Sequence, residues 1–454
     1  MRDTAPGTRN GVAPPASDVS SAVGFVGLAG LLAWIAFCRA FPDFVVAFDL
    51  ALPAVRLDGP YAALTGLVAT GLPMILWSVF IDKVHRRESS GLDWSRRADG
   101  ESTRAISFTK LTGLWATWAI IAAIYCIARW YWDGSYLFAM QVLGVAIVPM
   151  VVLSVPYILW LDRRMMEPRD GAWHFGAFLL AREPWDRGKI VAHWRTWIIK
   201  GFFGAFMISI LPAGFAQVVN ADIGALASQP GALASALIAL LFVVDVQIGT
   251  VGYIATMRPL DSHIRSGNPF LAGWLAALLC YPPINYGLMS AGGLLDYKIN
   301  APGWEYWLAG NPMLLSLWGG WLVVLTAVYA WATVAFGLRF SNLTYRGVIT
   351  HGPYRFTRHP AYVAKNLFWW SASLPFLVTT GGPIEALRNV IALSLVSGIY
   401  YWRARTEEAH LLREDAKYRE YHAWMAENGV VTAPLVALGR AIGRGRGEVL
   451  QPAE

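Results

Sequence analysis

HGPYRFTRHPAY, His351 to Tyr362, sets two arginines, two histidines and two tyrosines between long apolar segments. Desolvated charges at the mouth of a membrane bundle are costly unless something pairs with them. The segments on either side, 312–336 and 366–380, are apolar enough to cross a bilayer. The stretch therefore reads as a polar site held between membrane helices.

Working outward, the whole chain has the same character. It is 56% hydrophobic and 15% charged, with 22 tryptophans, whereas a soluble domain carries roughly 25% charged residues. Apolar runs recur at about 21–39, 61–81, 111–130, 137–161, 199–220, 232–256, 270–291, 312–336, 366–380 and 384–402. Most are long enough to span about 30 Å of hydrocarbon at about 1.5 Å per residue. The reading is an all-α, polytopic bundle of about ten transmembrane helices with a C-terminal cytosolic loop and helix. The ninth run is short and either tilts or forms a tight hairpin with the tenth across Gly381, Gly382 and Pro383.

The basic residues support this topology. With the N-terminus in the cytoplasm, every Lys and Arg except Arg39, Arg56, Arg129, Lys298 and Arg388 falls on the cytoplasmic side, as short loops prefer. Both termini are then cytoplasmic, in a cytoplasmic membrane or the endoplasmic reticulum. The net charge of +7 is accounted for by topology and attraction to anionic lipid heads, and implies no nucleic acid.

Four regions follow. Residues 1–20, rich in Pro, Ala, Ser and Gly, are expected to be a disordered tail; 21–310 form an N-terminal bundle of about seven spans; 311–428 form a C-terminal module; 429–454 form a flexible tail. Cys38, Cys126 and Cys280 read as small buried hydrophobes. The segment DGAWHFGAFLLAREPWDRGK, Asp170 to Lys189, reads as lying in the membrane interface or as a plain aromatic belt. Asp245, within LLFVVDVQIG, is either functional or an interhelical hydrogen-bonding group. In YPPINYG, Tyr281 to Gly287, paired prolines bend the seventh span or line a cavity.

No phosphate loop, dinucleotide fingerprint or His-Glu-x-x-His is present, and the histidines lack metal-ligand spacing. His410 and His422 read as surface residues of the last helix. Pro353 and Pro360 hold their preceding residues extended, so the 338–366 segment is a shaped loop. Arg355 and Arg358 suit a carboxylate or phosphate, while Tyr354, His359 and Tyr362 offer hydrogen bonds and flat faces to a ring. The charged helix from about Arg403 to Glu427 carries Glu408, Leu411, Leu412, Asp415, Tyr418 and Tyr421 or His422 on roughly one face. That face can fold back on the loop.

The conjunction resembles the integral-membrane methyltransferases of the isoprenylcysteine carboxyl methyltransferase type, and in this region it is similar to phospholipid N-methyltransferases. The matching positions are Gly352 and Tyr354, then Arg358, His359, Pro360 and Tyr362, then Arg405 or Arg403, Glu407, Glu408 and Leu411, then Tyr418 and Tyr421. The resemblance covers about 310–426. Asp415-Ala416 stands where the family often has Phe-Gly, and Ala364, Lys365 and Asn366 where it continues with Gly and apolar residues.

The resemblance implies methyl transfer from S-adenosylmethionine to a lipid or lipid-linked carboxylate or amine. Arg358 would clamp a carboxylate and Glu407 would take the proton of an amine. Tyr354, His359, Pro360, Tyr362 and Glu408 would hold the cofactor, and Arg355, Lys365, Asn366, Tyr418 and Tyr421 the acceptor. The Arg-His-Pro-x-Tyr element also looks like that of sterol reductases, which implies NADPH instead. Those proteins usually have Asn before the tyrosine, where Ala361 stands here. A membrane scaffold or transporter is the third reading.

Overall fold

The computed structural model describes residues 13–95, 100–222, 224, 226, 228–373 and 380–442. They form an almost wholly helical bundle: α1 Ser21–Ala47, α2 Pro60–Leu76, α3 Gly100–Ile127, α4 Tyr136–Asp162, α5 Gly171–Leu180, α6 Arg187–Asn220, α7 Pro230–Ile254, α8 Leu271–Leu278, α9 Pro312–Phe336, α10 Pro360–Ala372, α11 Pro383–Glu414, α12 Ala416–Asn428 and α13 Thr432–Ile442. Proline opens α2, α7, α9, α10 and α11, where its missing N–H would be unpaired in any case. Asp170, Asp186, Asn311 and Asp415 cap α5, α6, α9 and α12 through their side chains, each accepting from otherwise unpaired backbone N–H groups.

Among the described residues, seven helices are long and apolar enough to cross a membrane: α1, α2 with its π-turn to Ile81, α3, α4, α6, α7 and α9. The other three expected spans are built differently. Run 270–291 is not one helix, because Pro282 and Pro283 interrupt it between α8 and a short turn at Ile284–Leu288. Run 366–380 belongs to α10, which already starts at Pro360, and its residues 374–379 lie outside the described residues. Run 384–402 lies within α11, where Glu385, Arg388 and Asn389 reduce the apolar character of the first turns.

Two short strands, Ser266–Gly267 (β1) and Thr344–Tyr345 (β2), pair antiparallel. They place the end of the 255–267 segment beside the loop that leaves α9. Since α9 is 25 residues long, its start lies about 37 Å away. Residues 268–311 therefore return the length of the bundle in broken pieces.

The core sits where α1, α2, α6, α7 and α9 meet around Leu31, Met74, Phe215, Ile248 and Val334. Close approach there depends on small residues: a Cβ on Gly24 would strike the Val334 carbonyl, and one on Gly252 would strike Phe340. The α5 segment does not simply lie on the surface. Its Trp173 and Phe175 are buried, and Gly176 and Gly113 let α5 press directly on α3. Phe178, Leu179 and Trp185 remain exposed.

Three further expectations are corrected. The expected disordered tail 1–20 is ordered from residue 13 onward, because Pro15, Ser17 and Asp18 hydrogen-bond to the 348–350 segment; residues 1–12 lie outside the described residues. The expected tail 429–454 contains α13, with 443–454 outside the described residues. Cys38 is buried, Cys280 intermediate, but Cys126 exposed, on the outward face of an apolar helix.

Candidate functional site

The chain leaves α9 through a 3-10 turn at Gly337–Arg339 and is then held by two buried arginines. Arg339 pairs with Asp261 at 2.6 Å. Arg346 donates to the carbonyls of Ser262 at 2.8 Å, Gly252 at 2.9 Å, Phe340 at 2.8 Å and Leu338 at 2.8 Å. Burial and the nearby Arg339 charge lower its pKa to about 9, so it stays charged at neutral pH. Gly347, at φ 112°, turns the chain past Arg339 and Asp18, where a side chain would collide with both.

Next the Arg-His-Pro turn meets α11. His359 Nε2 lies 2.9 Å from Glu408 Oε1, Arg358 Nε 3.1 Å from the same oxygen, and Arg405 Nη1 2.5 Å from Oε2. Burial would raise the Glu408 pKa, but the His359 hydrogen bond and the charges of His359, Arg358 and Arg405 bring it down to about 2. One helical turn after His359, the Tyr362 hydroxyl donates to Glu407 Oε1 at 2.5 Å. Arg403 reaches Glu407 at 3.3 Å and donates to Asn342 Oδ1 at 2.6 Å. Asp415 ends α11 and caps α12, so that Tyr421 donates to the Tyr354 carbonyl at 2.7 Å.

These contacts border a cavity of about 180 Å³, room for roughly six waters at about 30 Å³ each. Its walls include Arg339, Arg346, Tyr354, Arg358, His359, Tyr362, Lys365, Arg403, Glu407, Tyr418 and Tyr421. Arg358 Nη1 is buried without a hydrogen-bond partner. At the deep end, Tyr281, Tyr329, Thr333, Phe336 and Tyr400 complete the lining. Behind them Asp245 accepts from Tyr329 at 2.9 Å and from Thr333. Its side chain is thus both buried in a span and hydrogen-bonded between helices.

The sequence-derived residues divide accordingly. Tyr354, Arg358, His359, Tyr362, Lys365, Glu407, Tyr418 and Tyr421 come together on the cavity wall. Glu408, Pro360, Arg355 and Asn366 do not line it. Glu408 clamps the loop to α11 from behind, buried Pro360 begins α10, and Asn366 donates to the Tyr362 carbonyl at 2.9 Å. His410 is not a surface residue. It is buried against Ser266 at 3.0 Å, lines the cavity, and is held neutral by burial and by Arg195 and Arg413, with a pKa of about 4.

Arg346, Asn342, Tyr329, Thr333 and Tyr400 were not singled out by motif, whereas Tyr281 opens the YPPINYG segment read as a bend or a cavity wall. Tyr281 carries a signal in its proline pair, and Tyr329 and Thr333 in their i, i+4 spacing. Arg346 carries none, since two of its four carbonyl partners, those of Ser262 and Gly252, are far away in sequence.

The fold and the cavity define a polytopic helical membrane protein with a polar cavity in its C-terminal part. Residues 314–425 match the model of a family described as Protein of unknown function (DUF1295). No curated protein and no solved structure matches the chain.

Proposed function

We propose that this chain is an integral membrane methyltransferase that uses S-adenosylmethionine to methylate a lipid or lipid-linked acceptor. The observation that carries the reading is the joining of Arg358, His359 and Tyr362 to Glu407 and Glu408, around one cavity that continues to Lys365. The lining offers the cofactor hydrogen-bonding groups at His359 and Tyr362 and flat faces at Tyr354, Tyr418 and Tyr421, while the buried Arg358 Nη1, without a hydrogen-bond partner, is left for an acceptor carboxylate. When bound, the cofactor supplies a sulfonium methyl whose carbon bonds to the acceptor as the carbon–sulfur pair of electrons goes to sulfur.

The protein's own contribution is alignment and exclusion of water, an effect worth about 7–11 kcal/mol of barrier in well-oriented systems. Arg358 orients a carboxylate acceptor, and Glu407 takes the proton of an amine acceptor.

A second reading, reduction of a lipid double bond with NADPH, is favoured by one observation. Arg339, Arg346, Arg358, Arg403 and Lys365 line the cavity against Glu407, a surplus of positive charge that suits phosphates.

Purified full-length protein in lipid nanodiscs is to be titrated with each cofactor, and supplied with tritiated S-adenosylmethionine and a total lipid extract. The methyltransferase reading expects saturable binding and label in the lipid fraction, the label weakened in Arg358→Ala. Absence of S-adenosylmethionine binding together with tight NADPH binding would replace it with the reductase.

A further inference from the structure

The last described helix leaves an apolar face uncovered. In α13, Thr432 and Ala433 are buried, whereas Pro434, Leu435 and Leu438 are exposed, as is Val431 just before the helix. Their spacing of three and four residues puts the exposed group on one side. From Asn428 to Gly447 the chain carries Arg440, Arg444 and Arg446 and no acidic residue. An apolar stripe joined to basic residues is the make-up of a helix that lies in a membrane interface.

The helix begins where the chain turns back toward the bilayer. Gly352 packs against the indole of Trp331, which is exposed on α9 five residues before its end, a depth at which tryptophan marks the membrane boundary. Phe356, also exposed, follows, and Pro360 opens α10. The Val431 N–H donates to the Phe356 carbonyl at 3.1 Å, and the Thr432 hydroxyl to Thr357 Oγ1 at 3.3 Å. That oxygen also accepts from the His359 N–H at 3.4 Å. A chain of hydrogen bonds thus runs from α13 to the turn that Glu408 clamps.

We propose that α13 docks on the anionic lipid surface beside the site, with Val431, Leu435 and Leu438 among the lipids and Arg440 at their headgroups, and that docking steadies the Arg358-His359 turn. The inference goes beyond the methyltransferase reading and holds for either cofactor. Charge selects the occupant. An isologous pairing with a second copy would set the basic residues of one chain near those of the other, whereas an anionic leaflet offers each of them a countercharge. Phe356 and Thr357 carry the effect, because their bonds to α13 lie directly before Arg358. A leaflet poor in anionic lipid leaves the turn looser, so the composition of the membrane becomes an input to the site.

The test follows amide exchange of residues 435–440 and 356–359 in the wild-type full-length protein, one copy per nanodisc, in phosphatidylcholine alone and with phosphatidylglycerol added. The anionic lipid is expected to slow exchange of both segments by at least about 5-fold, the effect of one arginine near a charged surface. Arg440→Gln shrinks that difference and Arg440→Lys keeps it. Equal exchange in the two lipids, a comparison that needs no variant, overturns the proposal. Slowing of 435–440 alone overturns the link to the turn and leaves the docking. Contact with lipid is read from a bimane on Leu438→Cys, in a chain whose three native cysteines are alanine, with nitroxide-labelled lipid as quencher. Quenching supports the docking. Slow exchange without quenching, or slowing that appears only when two copies share a disc, overturns it in favour of a protein contact.

Discussion

Adjacent glutamates on α11 face different ways, and their different surroundings give them different work. Glu407 looks into the cavity with Tyr362 and Arg403, while Glu408 ties the loop to the helix through His359, Arg358 and Arg405. The Glu408 pKa falls from 4.5 to about 2 on folding. Its contribution to stability is therefore full above about pH 4.5 and lost as pH falls through about 2, a difference of about 3 kcal/mol. Thermal unfolding in detergent is expected to show this acid loss in the wild type and a flatter profile in Glu408→Gln. Identical profiles would show that the clamp contributes nothing. At this scale, charges flanked by apolar runs were legible in the sequence because they are conspicuous. Arg346 was not, because its worth lies in four carbonyls, of which those of Ser262 and Gly252 are distant along the chain.

Among the elements, long apolar helices were the easiest to read, since length and composition decide them. The broken crossing between α8 and α9 was harder: prolines announce a bend, but what the bend leaves exposed to a cavity depends on partners such as Phe203 and Asn342 around Tyr281. The N-terminal segment was misread because composition alone says nothing about where Asp18 lands. Its carboxylate accepts from the Val348 N–H at 2.7 Å and pairs with Lys417 at 2.6 Å, and its carbonyl accepts from Arg87 at 2.8 Å. The segment is a strap across the loop. Asp18→Ala is expected to raise amide exchange of residues 347–350 by about 10-fold or more, the effect of losing one charged hydrogen bond. Exchange confined to its wild-type rate would mean that the loop holds itself in place.

For the molecule as a whole, the apparent division near residue 310 is crossed by many contacts. Arg346 holds the carbonyls of Ser262 and Gly252, Asp245 holds Tyr329 and Thr333, and Asn342 donates to Tyr281 at 3.1 Å. A fragment of residues 311–442 is therefore expected to lack the cavity. Expressed alone in membranes, it should bind no ligand that the full chain binds, and co-expression with 1–310 should restore binding. Full-strength binding by the isolated fragment would show that the two parts are separable.

The strap also has a consequence for biogenesis. Asp18 emerges from the ribosome 399 residues before Lys417, an interval of about 20–80 s at ordinary rates of translation. Until α12 has been made, the Lys417 ammonium that completes the fastening of Asp18 does not exist. A chain that ends before Lys417 thus keeps the Val348 and Arg87 contacts of Asp18 but lacks the ion pair that closes the strap.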